Sequence, residues 1–238
     1  MIKFIIFFSL LASVARADNY IHGNTHVPSI YPNIKSPKNL SVSLDIEKSK
    51  EVSKTLLSTG EVLIHDAETK NIFEGRYHGV ENFTFGTTIV FKGVFSVSTF
   101  LQYDIAKSSN QKLSTTTGIG ISAPSQMIYS FGFLYSYYVN PIRTCFFISP
   151  QFSRGLFVVK KVSETNVLDI IYNFLERHDK GILNVGMETA LISNESITLR
   201  LYRTFEYTFS SKILASEQSS SFSRKDDYSY GLSISYHY

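Results

Sequence analysis

Apolar and polar positions alternate with a period of two along most of this 238-residue chain. Between Phe83 and Phe91 the odd positions are Phe83, Phe85, Thr87, Ile89 and Phe91. Lys92-Gly93 offers a turn, and the same parity resumes as Phe95, Val97, Thr99, Leu101, Tyr103 and Ile105. After a polar stretch come Leu113, Thr115, Thr117, Ile119 and Ile121, separated by the small or polar Ser114, Thr116, Gly118, Gly120 and Ser122. Ala123-Pro124-Ser125 then leads into Met127, Tyr129, Phe131, Phe133, Tyr135, Tyr137 and Val139, and Asn140-Pro141 breaks that run. Successive side chains of a strand point to opposite faces, so each segment carries one apolar and one small or polar face. Tight connections between such segments predict the hairpins of an antiparallel meander.

The last third repeats the pattern. Leu183, Val185, Met187, Thr189 and Leu191 precede a turn at 193–196, and Ile197, Leu199, Leu201, Arg203, Phe205, Tyr207 and Phe209 follow it. A Ser-rich, charged stretch to Asp227 leads to the most regular segment, in which Tyr228, Tyr230, Leu232, Ile234, Tyr236 and Tyr238 alternate with Ser, Gly or His. Leu40, Val42, Leu44 and Ile46 predict a first strand, with two more at 59–67 and 71–77. The segment 162–177 reads either as a helix begun at Asn166 or as a strand face of Leu168, Ile170, Tyr172 and Phe174, and Pro150 complicates 144–160. Counting every candidate gives about 12 strands, and dropping the doubtful pair gives 10. Connections at 92–93, 123–125 and 193–196 are expected on the side of the chain termini, and loops at 106–112 and 211–227 on the other.

The N-terminus changes the setting. Met1-Ile-Lys3 opens onto an apolar run from Phe4 to Leu11, followed by Ala15-Arg16-Ala17, the layout of a secretory signal peptide with cleavage between Ala17 and Asp18. The alternative is an N-terminal anchor, for which the run falls short of the about 20 residues a spanning helix needs. The expected organisation is therefore a signal peptide at 1–17, an irregular periplasmic segment at 18–39 with Pro28, Pro32 and Pro37, and a β-domain at 40–238. Formal charge is +3 with Lys3 and Arg16 included, which gives no reason to invoke nucleic acid. Cys145 is the only cysteine, so an intramolecular disulfide is excluded; it reads as a small apolar strand residue, with a reactive thiol as the alternative.

Mean hydropathy of −0.01 is too polar for a helical membrane protein and suits strands that average an apolar face with a polar one. A soluble sandwich remains the alternative. Against it stand apolar faces of up to seven side chains, as from 127 to 139, which exceed what an ordinary strand of about 5–6 residues supplies. Lipid offers no hydrogen bonds, so a spanning sheet must close its first strand on its last. With Tyr230, Leu232, Ile234, Tyr236 and Tyr238 at its end and a signal peptide at its start, the chain resembles the Gram-negative outer-membrane β-barrels, small porin-like and surface-antigen types included. The resemblance covers the signal peptide and most of 40–238. It implies an all-β, closed antiparallel up-and-down transmembrane barrel, exported through the periplasm to the outer membrane. It also implies that the barrel-assembly machinery reads the terminal strand by strand addition.

Chemistry is sparse. His65-Asp66 and His178-Asp179 are the only adjacent His–acid pairs, and neither lies beside a nucleophile motif, so no catalytic residue, cofactor or metal is expected. The lumen face is more informative. With the odd face on lipid, the even face points inward and carries Lys92, Asp104, Lys112, Glu188, Arg200 and Glu206, with Glu188 and Arg200 brought together across the 193–196 turn. Such charges either hold a narrow barrel shut or line a pore. A surface barrel with structural, adhesive or antigenic loops meeting a host or environmental ligand is thus the expectation. A small-solute channel is the first alternative and an outer-leaflet lipid enzyme the second.

Overall fold

The computed structural model describes residues 39–49, 52–56, 62–65, 69–92, 94–122, 126–158, 175–192, 196–213, 222–224 and 227–238. The expected signal peptide and N-terminal segment, the cleavage pair Ala17 and Asp18 among them, lie outside these residues. So does the part of the ambiguous segment from 162 to 174.

The described chain is antiparallel sheet with one short 3₁₀ turn. Its strands are β1 (Leu40–Ser49), β2 (Val52–Leu56), β3 (Val62–His65), β4 (Thr69–Val80), β5 (Phe83–Lys92), β6 (Val94–Lys107) and β7 (Gln111–Ser122). There follow β8 (Gln126–Val139), β9 (Thr144–Val158), β10 (Leu175–Ala190), β11 (Ile197–Ile213), β12 (Phe222–Arg224) and β13 (Asp227–His237). Ten of them form a closed barrel in the order β1-β13-β11-β10-β9-β8-β7-β6-β5-β4, each paired with its neighbours in the chain path. The seam joins first to last, with Val42 opposite Tyr236, Leu44 opposite Ile234 and Ile46 opposite Leu232.

About twelve wall strands were expected from the sequence, with ten as the alternative, and the barrel has ten. The candidate at 59–67 contains β3, which pairs with β2 and, through it, with β12 in a separate three-stranded sheet. At 5, 4 and 3 residues these strands are too short to cross a bilayer. A tilted spanning strand needs about 9–11. The wall strands run from 10 to 17 residues.

The ends of the barrel also differ from expectation. Residues 40 and 238 share one end, so chain direction puts the connections 81–82, 108–110, 140–143 and 191–196 there, and 50–68, 93, 123–125, 159–174 and 214–226 at the far end. The connections at 92–93 and 123–125 therefore lie opposite the termini, and the one within 106–112 lies beside them. Between the strands expected at 71–77 and 83–91 the chain reverses in a two-residue turn, Glu81-Asn82, where Asn82 takes φ 61°, a left-handed conformation that Asn tolerates. Counting 59–67 as a wall strand is what reversed the expected direction of every later strand, until the second surplus candidate at 162–177 reversed it back and left 193–196 beside the termini as expected. The stretch after Lys107 is a tight turn and no loop: Ser108 N–H donates to the Gln111 carbonyl at 2.8 Å.

The wall is turned inside out relative to a soluble protein. Leu44, Phe73, Phe85, Phe131, Ile148, Leu201 and Ile234 lie on the outward face with 37% or more of their surface exposed, whereas Asp45, Thr88, Ser114, Ser136 and Ser233 on the inward face are fully buried. An apolar exterior around a polar interior is what lipid demands of a closed sheet. Pro150 fits because it faces outward and its missing N–H is compensated. The Ser149 hydroxyl donates to the Phe133 carbonyl across the ladder at 2.9 Å. Inside, rings cover glycines on adjacent strands. Tyr202 lies over Gly231, and Phe100 over Gly86, so closely that a Cβ at either glycine would fall 2.0 and 2.2 Å from ring atoms.

Candidate functional site: the polar lumen

The inward face collects charge because its alternation is polar while the barrel leaves it no exit to water except along the axis. Glu188 and Arg200 face each other directly across the β10–β11 hairpin, with Nε to Oε2 at 3.4 Å. Glu188 also accepts from the Thr198 hydroxyl and lies 3.9 Å from His237 Nε2. Arg200 is 1% exposed, and Asp45 on β1 and Glu74 on β4 join Glu188 in acting on it electrostatically. Acids from three different strands thus converge on one guanidinium. Glu74 is bonded to Arg76 on its own strand and accepts from Thr88 at 3.4 Å, and Asp45 accepts from Ser233.

The remaining charges also find partners. Lys112 reaches Asp104 at 3.4 Å, and the same carboxylate accepts from Ser114 at 2.7 Å and from Gln102 at 3.1 Å. Lys180 pairs with Glu206 at 3.0 Å, and Lys70 with Glu47 at 3.6 Å. Glu47 also accepts from Ser229 and, at 3.5 Å, from Tyr202. An unpaired ion in such a place is costly, and pairing within one lumen is the physical way to hold both signs there.

Between the ion pairs sits apolar filling. Leu134 and Phe147 form a buried cluster with Tyr202 packed on it, and Tyr138 with Cys145 forms another. Ile72 and Leu134 are 0% exposed, and Gln102 and Glu74 1%. Side chains lining an open water channel would not be sealed in this way.

Of the charges singled out in the sequence, Asp104, Lys112, Glu188, Arg200 and Glu206 all lie on this inner face. Asp104 pairs with Lys112 and Glu188 with Arg200, while Glu206 pairs with Lys180, which had not been singled out, so the charges do not make a single row. Lys92 closes the β5–β6 hairpin opposite Val94, and its side chain is outside the described residues. The terminal-strand residues Tyr230, Leu232, Ile234, Tyr236 and Tyr238 all face outward with 41% or more of their surface exposed. Of the His–acid pairs, Asp179 is bound by Arg154 at 2.8 and 3.3 Å. The His178 side chain and Asp66 lie outside the described residues.

Sequence reasoning missed Asp45, Glu47, Lys70, Glu74 and Arg76. The signal was present, since Ser41, Ser43, Asp45 and Glu47 alternate with Leu40, Val42, Leu44 and Ile46. In β1 the inward parity is odd, as it is in β13 and in β9, where the expected even inward face from 84 to 208 fails, and only the apolar half of the β1 alternation had been read. It also missed the hydrogen-bonded imidazole of His78, held at 3.0 Å by Ser41 on one ring nitrogen and by Thr84 on the other. Among the described residues no group of three or more His, Cys, Asp or Glu could hold a metal ion.

Solved structures share this architecture at very low sequence identity. An outer membrane channel from Pseudomonas putida F1 superposes with a TM-score of 0.50 at 7% identity, over 88% of this chain and 100% of that one. The fold is that of the bacterial outer-membrane β-barrels. The outer membrane protease OmpT of Escherichia coli gives a TM-score of 0.48 at 6% identity, over 85% of this chain and 98% of its own. Ail, the attachment invasion locus protein of Yersinia pestis, gives 0.36 at 9%, over 85% and 100%. At such identities the likeness is one of fold and nothing finer. No protein-family model and no curated protein matches the chain.

Proposed function

We propose that this chain is a bacterial outer-membrane protein, exported as a precursor cleaved between Ala17 and Asp18, whose barrel is a filled scaffold and whose role lies at its far end. The observation that carries this reading is the sealed inner face, with Ile72, Leu134, Thr88 and Asp45 all at 0% exposure. Ten strands also sit close to the size at which side chains fill the interior, well below the 16 or more of open porins.

The distribution of connections supports an outward-facing role. Every long connection, 50–68, 159–174 and 214–226, leaves from the far end, while the end holding the termini has only short turns. Two of the long ones flank the seam and pair with each other through β2 and β12. With the termini in the periplasm, the far end faces the cell exterior, where an adhesive or antigenic surface can meet a host or environmental ligand. The reading is non-enzymatic and needs no cofactor. Its partners are outer-membrane lipid, the barrel-assembly machinery that reads Tyr230 to Tyr238, and that external ligand.

The test replaces 50–68 and 214–226 by short turns and compares adherence of cells displaying the full chain, the shortened chain or neither. The full chain is expected to raise adherence and the shortened one to lose the gain at equal surface display. Equal adherence in both would overturn the assignment of the role to these segments.

A further inference from the structure

Three cations of the described wall share the lipid-facing side: Lys48 on β1, opposite Tyr230, Arg154 on β9, which is paired with Asp179, and Arg203 on β11. Arg203 on β11 lies in the outward set between Leu201 and Phe205, flanked across the ladders by Val185 and Tyr230. Its neighbours in sequence, Thr204 and Glu206, turn inward, and Glu206 is engaged by Lys180. Among the described residues no carboxylate faces Arg203 from β10, β11 or β13, and no acceptor reaches its Nε. The guanidinium is instead enclosed by aromatic rings, 4.4 Å from the centroid of Tyr228, 4.6 Å from Phe205 and 5.0 Å from Tyr230. Two of these rings lie further toward the far end than Arg203 itself. The side chain therefore runs along the wall toward that end, as a snorkelling arginine does.

Its level decides what it meets. Tyr230 is eight residues along β13 from the terminal Tyr238, which for a strand rising about 3.3 Å per residue and tilted about 40° is roughly 20 Å up the barrel axis. An apolar band is about 25 Å tall, so the guanidinium reaches the rim where headgroups begin. Cation–π contacts position it without neutralising it. At that depth the anions a membrane presents to a barrel wall are lipid phosphates, and the planar guanidinium donates to a phosphate in two parallel bonds.

We propose that Arg203, held by Phe205, Tyr228 and Tyr230, is a binding site for the phosphate group of a lipid headgroup in the leaflet at the far end. Tyr228 and Tyr230, packed edge to face at 5.6 Å, form the wall against which the headgroup lies. The site lies on the outer wall, separate from the lumen.

Native mass spectrometry of the full-length refolded protein tests this by counting retained lipids from micelles doped equally with phosphatidylglycerol and an uncharged digalactosyl lipid. The native protein is expected to retain the phospholipid over the glycolipid by about fivefold or more, and Arg203→Gln to lose that preference. Arg203→Lys, which keeps the charge and so guards against a folding defect, is expected to retain a reduced preference. Tyr230→Leu is expected to weaken it while leaving the barrel trypsin-resistant. A preference unchanged in Arg203→Gln would overturn the site. Inorganic phosphate displacing the phospholipid at equal concentration would overturn its assignment to lipid.

Discussion

Arg200 and Gly231 show how single residues hold this lumen closed. Arg200 is surrounded by Glu188, Asp45 and Glu74 in a place sealed from water. Removing one partner of a buried ion pair costs about 3–5 kcal/mol, because the other charge stays behind without compensation. Arg200→Met is therefore expected to lower stability by about that amount, read from urea unfolding in lipid vesicles, and Glu188→Gln added to it should restore part of the loss. Recovery of nothing would mean that Asp45 and Glu74, and not Glu188, carry the interaction. Gly231 makes a steric prediction. A Cβ there meets the Tyr202 ring, so Gly231→Ala must push aside a side chain that also bonds Glu47, at a cost of about 1–3 kcal/mol. Gly75→Ala, on the outward face with nothing within 4 Å, is expected to be neutral, and equal losses in the two would refute the packing argument. The Glu188–Arg200 pair was legible in the sequence because one hairpin brings it together. Its connection to Asp45 and Glu74 was not, since it crosses the seam and depends on closure of the whole sheet.

At the scale of elements, alternation alone identified most wall strands and both faces of the terminal one. The hairpins over 83–105 and 113–139 were legible because their apolar faces are long and their turns hold Gly or Pro. Strand number was not legible. Short alternating stretches such as 62–65 have the same pattern as a wall strand, and only their length and partners exclude them. The assignment of connections to ends failed for a related reason. It depends on counting parity, and the surplus candidate at 59–67 moved every later connection to the wrong end until the one at 162–177 moved them back. The terminal strand supports a depth-dependent prediction. Ile234 lies mid-strand on the lipid face and Tyr238 at its end. Ile234→Arg should cost about 2–4 kcal/mol and Tyr238→Arg about 0–1, measured by reversible unfolding in vesicles. If both cost the same, this strand does not lie across a bilayer. If the assembly machinery reads this strand as proposed, Tyr238→Arg should nevertheless reduce assembled protein in cells, although it costs little folding energy.

For the whole molecule, closure is the property from which the rest follows. Pairing β1 with β13 removes every edge from the barrel wall, directs the apolar faces to lipid, and brings the polar faces together in one lumen, which the proposed scaffold role requires to be filled. The sequence carried the inside-out pattern plainly. It left open whether the enclosed charges shut the barrel or line a path, because that depends on strand number and on which rings lie over which glycines. The most direct measurement is single-channel recording of the full-length protein refolded into planar bilayers. A filled barrel should insert without stable conductance steps. Reproducible steps, with an ion selectivity that changes in Arg200→Met, would contradict it.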